Sequence, residues 1–219
     1  MTFDALLRQH LAPCALAVFA LAGFTAPIAA AASGSATKTT PNDASAGLAT
    51  PSEALDIPDV AVVDQDGHAR RFFSDLVQGK VVAINFVFTT CTTICNPQGA
   101  TFAQIERLLG PKVGRDVHLV SVTIDPTTDT PERLKSWSEN LGAAPGWTLV
   151  TGERDEILRL LKALGAYTPD RGRHTPLLLL GNDRQKRWTR AYSLAPAARI
   201  AGLLEGMMSP PGGAPKEGK

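Results

Sequence analysis

Two cysteines separated by three residues are the strongest chemical signal in the sequence. Cys91 and Cys95 follow an apolar run at 81–88 and precede a segment with helical periodicity, which places them at the entry to a helix. The amide groups and positive dipole of a helix N-terminus lower a thiol pKa, and residues four apart share a helix face. The pair can therefore hold a soft metal ion as a dithiolate or exchange electrons as a disulfide.

A histidine would complete a metal site built on these two thiols. Two thiolates are too few for structural zinc, which takes four ligands, but they nearly suffice for Cu(I), which sulfur ligands select. His68 follows an Asp-Gly turn and His118 begins a predicted strand, so neither is interpreted as a ligand. His174 lies in a polar loop directly ahead of a buried strand, where loop ends of neighbouring strands can meet, but position alone leaves its role open.

The segments around these residues predict an α/β domain. A hairpin is expected from Val60–Val63 and Ala69–Phe73 around an Asp-Gly turn. Beyond it, apolar runs typical of buried strands alternate with segments of helical periodicity, and a second hairpin and a last helix follow. This order favours a central sheet flanked by helices, because parallel crossovers place helices on the sheet faces.

The chain divides into four segments by composition. Residues 1–32 are predicted to be a signal peptide or an N-terminal membrane anchor, because no charge occurs between Leu11 and Thr37 and an Ala-rich end follows. Residues 33–54 have the composition of a flexible linker, residues 55–208 form the folded domain, and the Pro- and Gly-rich residues 209–219 form a disordered tail. Either reading of the leader places the domain outside the cytoplasm.

Overall charge and cysteine count exclude several classes of function. The 219 residues carry 22 basic and 21 acidic side chains, and this balance gives no support to nucleic-acid binding. Three cysteines are too few for a disulfide scaffold, so cysteine chemistry is confined to one local site. A monomer is the default expectation.

Several motifs, taken in order, give a family resemblance. The run at 88–95 (FTTCTTIC) resembles the copper-loop motif of the SCO/SenC family of copper chaperones. The agreement continues through 121–126 (SVTIDP), 129–132 (DTPE) and 174–176 (HTP), and it covers about residues 57–192. The resemblance implies a thioredoxin-like fold: a central mixed β-sheet flanked by helices, with an N-terminal β-hairpin.

The same resemblance implies a function and a ligand set. It implies a copper ion, Cu(I) with Cu(II) left open, held by Cys91, Cys95 and His174. The copper would pass to the dinuclear copper site of cytochrome c oxidase, in subunit II, or to a related extracytoplasmic cuproprotein. Another periplasmic copper chaperone or a thiol reductase would be a further partner, and the periplasm is the implied compartment.

Four other positions are interpreted in the light of this resemblance. Asp125 and Asp129 are candidates for orienting the copper loop or His174, although a capping role at a helix entry is the alternative. Two residues depart from the family pattern: Asn96 stands where a proline is usual, and Arg173 stands where an acidic residue is usual. The cation at Arg173 is predicted to favour the neutral, metal-binding imidazole of His174.

Three alternative functions use the same cysteines. In a thiol-disulfide reductase, Cys91 would attack and Cys95 would resolve, with a partner's copper-site cysteines as the substrate, although dedicated reductases of this fold more often use C-x-x-C. A peroxidase with Cys95 as the peroxide-reactive residue is disfavoured, because its pattern requires a proline where this chain has Phe88. A sensor of copper or redox state would change its affinity for a partner without transferring copper.

Overall fold

The computed structural model describes residues 49–52 and 55–209. Its strands are β1 (Ala49–Ser52), β2 (Ala61–Asp64), β3 (Ala69–Arg71), β4 (Val81–Val87), β5 (Val117–Thr123), β6 (Trp147–Thr151), β7 (Leu177–Asn182) and β8 (Arg187–Tyr192). Its helices are α1 (Cys95–Leu109), α2 (Pro131–Asn140), α3 (Arg154–Leu164) and α4 (Ala197–Met208). Within the described residues the strands form one mixed sheet in the order β1-β8-β7-β4-β5-β6-β2-β3. The predicted α/β architecture with an N-terminal hairpin is confirmed.

Strands β4 and β5 form the centre of the sheet. Every residue of β4 is buried, and the two strands run parallel from Val81 opposite Val117 to Val87 opposite Thr123. Strand β7 lies antiparallel on the other side of β4, with Leu178 opposite Asn85. The ends of β4 and β5 and the beginning of β7 therefore meet at one edge of the sheet, and the predicted site residues follow or precede these strands there.

Helices cover both faces of this sheet, as the apolar strands predicted. Helices α1, α2 and α4 contribute buried residues to one hydrophobic cluster, which includes Phe102, Leu134 and Leu204. Helix α3 buries its apolar face in a second cluster, on the opposite face. Helix α2 begins as the sequence indicated, with Pro131 in the first turn and the Thr130 side chain accepting a hydrogen bond from the Arg133 amide at 3.4 Å.

Two predicted boundaries are wrong. The second strand of the hairpin ends at Arg71, because Phe72–Val77 forms a helical turn that buries Phe72 in the core. Ala49–Ser52, inside the predicted linker, instead pairs antiparallel with β8 and becomes an edge strand, since β8 offers it a free row of main-chain hydrogen-bonding groups.

The predicted leader, the rest of the predicted linker and all but the first residue of the predicted tail lie outside the described residues, at 1–48, 53–54 and 210–219. None of the helices in the described part is long and apolar enough to cross a membrane.

A glycine in β7 makes room for a tryptophan in the core. Gly181 lies opposite Trp188, and a Cβ atom added to Gly181 would overlap the Trp188 ring. Gly181→Ala is therefore expected to lower the free energy of unfolding by about 1–3 kcal/mol. Gly202→Ala is the matched control, because Gly202 lies in α4 with open space around it, and alanine there should raise the free energy by about 0.5–1 kcal/mol. Urea denaturation of both variants measures this, and an unchanged midpoint for Gly181→Ala would contradict the packing.

Candidate functional site

The two cysteines lie where β4 gives way to α1, as predicted. Helix α1 begins at Cys95, whose main-chain amide donates a hydrogen bond to the sulfur of Cys91 at 3.4 Å. Cys95 is fully buried and Cys91 is 6% exposed, while Thr90, Thr92 and Thr93 around them are exposed. Neither thiol forms a disulfide within the described residues. Of the two, only Cys91 lines the adjacent surface cavity of about 520 Å³, so Cys91 is the sulfur that a partner can reach.

The two thiols have opposite pKa shifts. Burial acts to raise the pKa of Cys91, but hydrogen bonds from Cys95 and Thr93 outweigh it and lower that pKa to about 7. Burial, reinforced by the hydrogen bond to Cys91, raises the pKa of Cys95 above its ordinary value. At neutral pH, Cys91 is partly thiolate and Cys95 is a thiol. Cys91 is therefore the better nucleophile and the first sulfur available to a metal ion.

Asp129 holds the segment that leads into Cys91. Its buried carboxylate accepts hydrogen bonds from the Thr89 amide at 3.1 Å and the Thr89 hydroxyl at 2.6 Å. The other carboxylate oxygen accepts one from the Thr123 hydroxyl at 2.6 Å. Asp129 thus joins the loop after β4 to the end of β5, and sequence analysis had named this residue without its partners.

His174 lies at the same edge of the sheet, directly before β7. Its ring packs edge-on against Phe88, with the ring centroids 5.6 Å apart, and the Phe88 carbonyl accepts a hydrogen bond from the Cys91 amide at 3.2 Å. Nδ1 of His174 lies 3.1 Å from the Arg171 carbonyl oxygen. Nε2 is buried, and no atom in the described part of the chain meets hydrogen-bond geometry with it. A buried ring nitrogen in this condition is suited to a guest ion.

The imidazole of His174 is neutral for a different reason from the one predicted. Burial lowers the pKa of His174, against the opposing effect of the Arg171 and Phe86 carbonyls. Arg173 is not among the causes of this lowered pKa, although the sequence predicted that its charge would be.

Asn96, the other departure from the family pattern, accepts a hydrogen bond from the indole of Trp137 at 3.0 Å and so ties the start of α1 to α2.

Cys91, Cys95 and His174 lie at one edge of the sheet, but their ligand atoms do not all lie within 4.8 Å of one another. Within residues 49–52 and 55–209, a different group meets this distance. It consists of one ligand atom each from Asp64, Asp66 and His68. The Asp64 carboxylate already accepts hydrogen bonds from Arg70 and from the amides of Asp66 and His68, so it has little capacity left for an ion. His174 would have to approach the cysteines to complete a three-ligand site with them.

Sequence reasoning missed three residues that shape the site. Thr89 and Thr123 are the partners of Asp129, and the Arg171 side chain forms an ion pair with Asp125. The position of Thr89, two residues before Cys91, was the one signal available. Nothing in the sequence pairs Arg171 with Asp125, because the contact depends on how two distant loops meet.

Comparisons with known proteins agree on one family. The family model described as SCO1/SenC matches residues 53–206. A protein of Stutzerimonas stutzeri, named "Putative copper-binding protein", is 35% identical over 50% of this chain and 52% of its own length. The SCO1 protein homolog of Bacillus subtilis is 31% identical over 41% of this chain and 45% of its own length. The chain thus matches about half the length of these curated relatives.

Solved structures share the fold. A SCO1/SenC family lipoprotein from Bacillus anthracis has a TM-score of 0.63 at 25% identity and covers 73% of this chain and 98% of its own. BsSco, described as having a disulfide switch and as a member of the Sco family of cytochrome c oxidase assembly proteins, has a TM-score of 0.61 at 25% identity. It covers 73% of this chain and 96% of its own. These structures confirm the thioredoxin-like fold.

Proposed function

Since the chain belongs to the SCO1/SenC family, we propose that it binds a copper ion and delivers it to another protein. The ligands are Cys91, Cys95 and His174. The recipient is the dinuclear copper site of cytochrome c oxidase or a related extracytoplasmic cuproprotein. The relative from Stutzerimonas stutzeri is named for copper binding, and BsSco is described as a member of a family of cytochrome c oxidase assembly proteins.

The observation that carries this proposal is the pair of thiols at the start of α1. The Cys91 sulfur accepts a hydrogen bond from the main-chain amide of Cys95, and the pKa of Cys91 is about 7, so that one thiolate forms readily at neutral pH. Two sulfur donors and one imidazole nitrogen form a soft donor set, which suits Cu(I) better than Mg²⁺ or Ca²⁺. Nε2 of His174 is buried and has no hydrogen-bond partner among the residues that the structure describes, which supports its assignment as third ligand.

The arrangement also supports release of the ion to a partner. Cys91 lines the surface cavity, whereas Cys95 and His174 are buried and do not line it. A partner's thiol or imidazole entering the cavity would meet Cys91 first, and ligands could then be exchanged one at a time. Oxidation of Cys91 and Cys95 to a disulfide would remove both sulfur donors and switch binding off.

A Cu(I) titration tests this proposal. The full chain carrying Cys14→Ser is reduced and titrated with Cu(I) against a competing chelator. One tight equivalent is expected, and Cys14→Ser should match the wild type because residue 14 is outside the ligand set. The added Cys91→Ser and Cys95→Ser changes should abolish that equivalent, and His174→Ala should weaken it.

The recipient is tested in the same system. Loaded protein is mixed with the copper-free soluble domain of cytochrome c oxidase subunit II, and copper is followed after the two are separated. Copper that moves to that domain supports delivery. Binding without transfer would favour a sensor, and binding equal to that of the serine variants would refute the copper proposal.

The second candidate function is thiol-disulfide reduction, favoured by the opposite pKa shifts of the two thiols. The Cys91 thiolate would attack a partner disulfide and form a mixed disulfide, releasing one partner thiolate. Cys95, after losing its proton, would then attack the Cys91 sulfur and release the second, so two electrons pass to the partner. Cys95→Ser should trap the mixed disulfide. A reduced protein that fails to reduce the oxidised copper-site cysteines of subunit II would exclude this function.

We also propose an extracytoplasmic location, the periplasm. The uncharged run between residues 11 and 37 supports export or anchoring, and it would leave the thiols in an oxidising compartment. Cell fractionation followed by mass spectrometry of the mature N-terminus tests this and separates a cleaved leader from a retained anchor. Recovery from the cytoplasm with Met1 intact would contradict it.

A further inference from the structure

An ion pair joins the loop that precedes His174 to the loop that follows β5. The Asp125 carboxylate follows β5 and its side chain is 5% exposed, whereas the Arg171 guanidinium is half exposed. Nη1 of Arg171 contacts Oδ2 of Asp125, and the Thr127 hydroxyl donates a hydrogen bond to Oδ1 at 2.9 Å. Loss of the arginine would leave a buried carboxylate without its cation, so the pair resists separation. Arg171 is thereby anchored to the end of β5.

The main chain of the same arginine holds the imidazole. The Arg171 carbonyl oxygen lies 3.3 Å from the His174 amide nitrogen and 3.1 Å from Nδ1. A neutral imidazole can donate to this carbonyl only in the tautomer that carries its proton on Nδ1. That tautomer leaves Nε2 unprotonated, which is the state a ligand requires. In the described part of the chain only the Arg171 carbonyl meets hydrogen-bond geometry with a ring nitrogen, so it favours the metal-binding form of His174 over the form that would donate to the Phe86 carbonyl.

The carboxylate of this link is not the one that holds the cysteine loop, although the two residues meet at Thr123, whose hydroxyl accepts a hydrogen bond from the Asp125 amide at 2.9 Å and donates one to Asp129. Asp129 bonds to Thr89 and Thr123, whereas Asp125 bonds to Arg171 and Thr127. Two carboxylates four residues apart therefore serve two different loops. A change at Arg171 should act on His174 and leave the cysteine loop in place.

We infer that Arg171 is a positioning residue for His174, with its side chain anchored on Asp125 and its carbonyl directing Nε2 toward the copper ion. The inference rests on the proposed copper site. Arg171 supplies no ligand atom, and it lies outside the motifs at 88–95, 121–126, 129–132 and 174–176. Arg171 also lines the cavity of about 520 Å³ beside Cys91, so the His174→Ala background decides whether its effect on copper passes through His174.

The experiment uses the full chain with Cys14→Ser and compares four further variants. They are Arg171→Met, Arg171→Lys, His174→Ala and the double variant of Arg171→Met with His174→Ala. Arg171→Met is expected to weaken Cu(I) binding about 10–100-fold, as loss of a group that orients a ligand typically does. In the His174→Ala background the same change should have no further effect. Arg171→Lys, which keeps the charge, should restore part of the affinity.

Arg154→Met is the control for loss of an arginine that makes no ion pair with Asp125. Arg154 and Arg171 both line a cavity of about 260 Å³, but of the two only Arg171 also lines the cavity beside Cys91, and Arg154 pairs with the exposed Asp155 at 3.6 Å. Its replacement should leave Cu(I) affinity unchanged.

A second measurement is made on the metal-free protein. The ¹⁵N chemical shifts of the His174 ring should show the Nδ1-protonated tautomer in the parent and a mixture of tautomers in Arg171→Met.

The outcomes separate this inference from the proposed function. If Cu(I) binding in the parent does not depend on Cys91 and Cys95, the proposed function fails, and the ring shifts of the metal-free protein still decide whether Arg171 orients His174. If His174→Ala weakens binding but Arg171→Met does not, or tightens it, the inference is overturned. It is also overturned if Arg171→Met weakens binding equally in the His174→Ala background. Should Arg171→Met fold poorly, Asp125→Asn replaces it with the same expectations.

Discussion

Replacing Asp129 with alanine is expected to lower the free energy of unfolding by about 2–5 kcal/mol. The change leaves three donors without their acceptor: the Thr89 amide, the Thr89 hydroxyl and the Thr123 hydroxyl. Water does not easily replace the lost acceptor, because the site of Asp129 is fully buried. The loop ahead of Cys91 should loosen as well, so Cu(I) affinity should fall in the molecules that remain folded. Denaturant unfolding followed by circular dichroism measures the first effect, and chelator competition measures the second.

Two variants control this experiment. Asp129→Asn retains one acceptor oxygen and should lose less stability than Asp129→Ala. Asp155→Ala removes the same atoms from a side chain that is 95% exposed, and it should leave the unfolding midpoint nearly unchanged. Equal midpoints for Asp129→Ala and Asp155→Ala would show that the hydrogen bonds of Asp129 do not hold the loop.

The second large effect is the pH dependence of Cys91 alkylation. A thiol reacts as its thiolate, and the pKa of Cys91 is lowered to about 7, so the thiolate should be half formed near pH 7. The alkylation rate of the reduced protein should therefore rise about fiftyfold from pH 5 to pH 7 and level off above pH 8. An ordinary thiol would continue to gain about tenfold per pH unit up to about pH 8.5. Cys95 should stay unmodified over this range, because it is buried and its pKa is raised.

Labelling with iodoacetamide in the Cys14→Ser background, followed by peptide mapping, measures both rates. In denaturant, Cys91 and Cys95 should react at similar rates with an ordinary pKa, which is the internal control. Cys95→Ala should move the Cys91 midpoint upward, because the hydrogen bond from Cys95 lowers the Cys91 pKa. Faster modification of Cys95, or a Cys91 midpoint near pH 8.5 in the native protein, would contradict the assigned roles.

The helix and strand pattern was accessible from the sequence because burial leaves a periodic signal. The run at 81–88 predicted a strand buried on both faces, and β4 is buried throughout. Thr130 and Pro131 marked the start of α2, because a hydroxyl cap and a proline in the first turn act locally. In contrast, strand β1 has no periodicity of its own and depends on the free edge of β8. An edge strand of this kind is invisible until its partner is in place.

The residues of the candidate site could be predicted from the sequence, but their long-range contacts could not. Sequence alone identified Cys91, Cys95, His174, Asp125 and Asp129, since thiol spacing and motif order are properties of the chain. Only the tertiary structure decided which of the two aspartates serves which loop, because Thr89 and Arg171 reach them across 40 and 46 residues of sequence. It also showed that burial, and not the neighbouring Arg173, keeps His174 neutral. Residue types determine the local chemistry, whereas desolvation and long-range pairing arise only when β4, β5 and β7 bring their ends together.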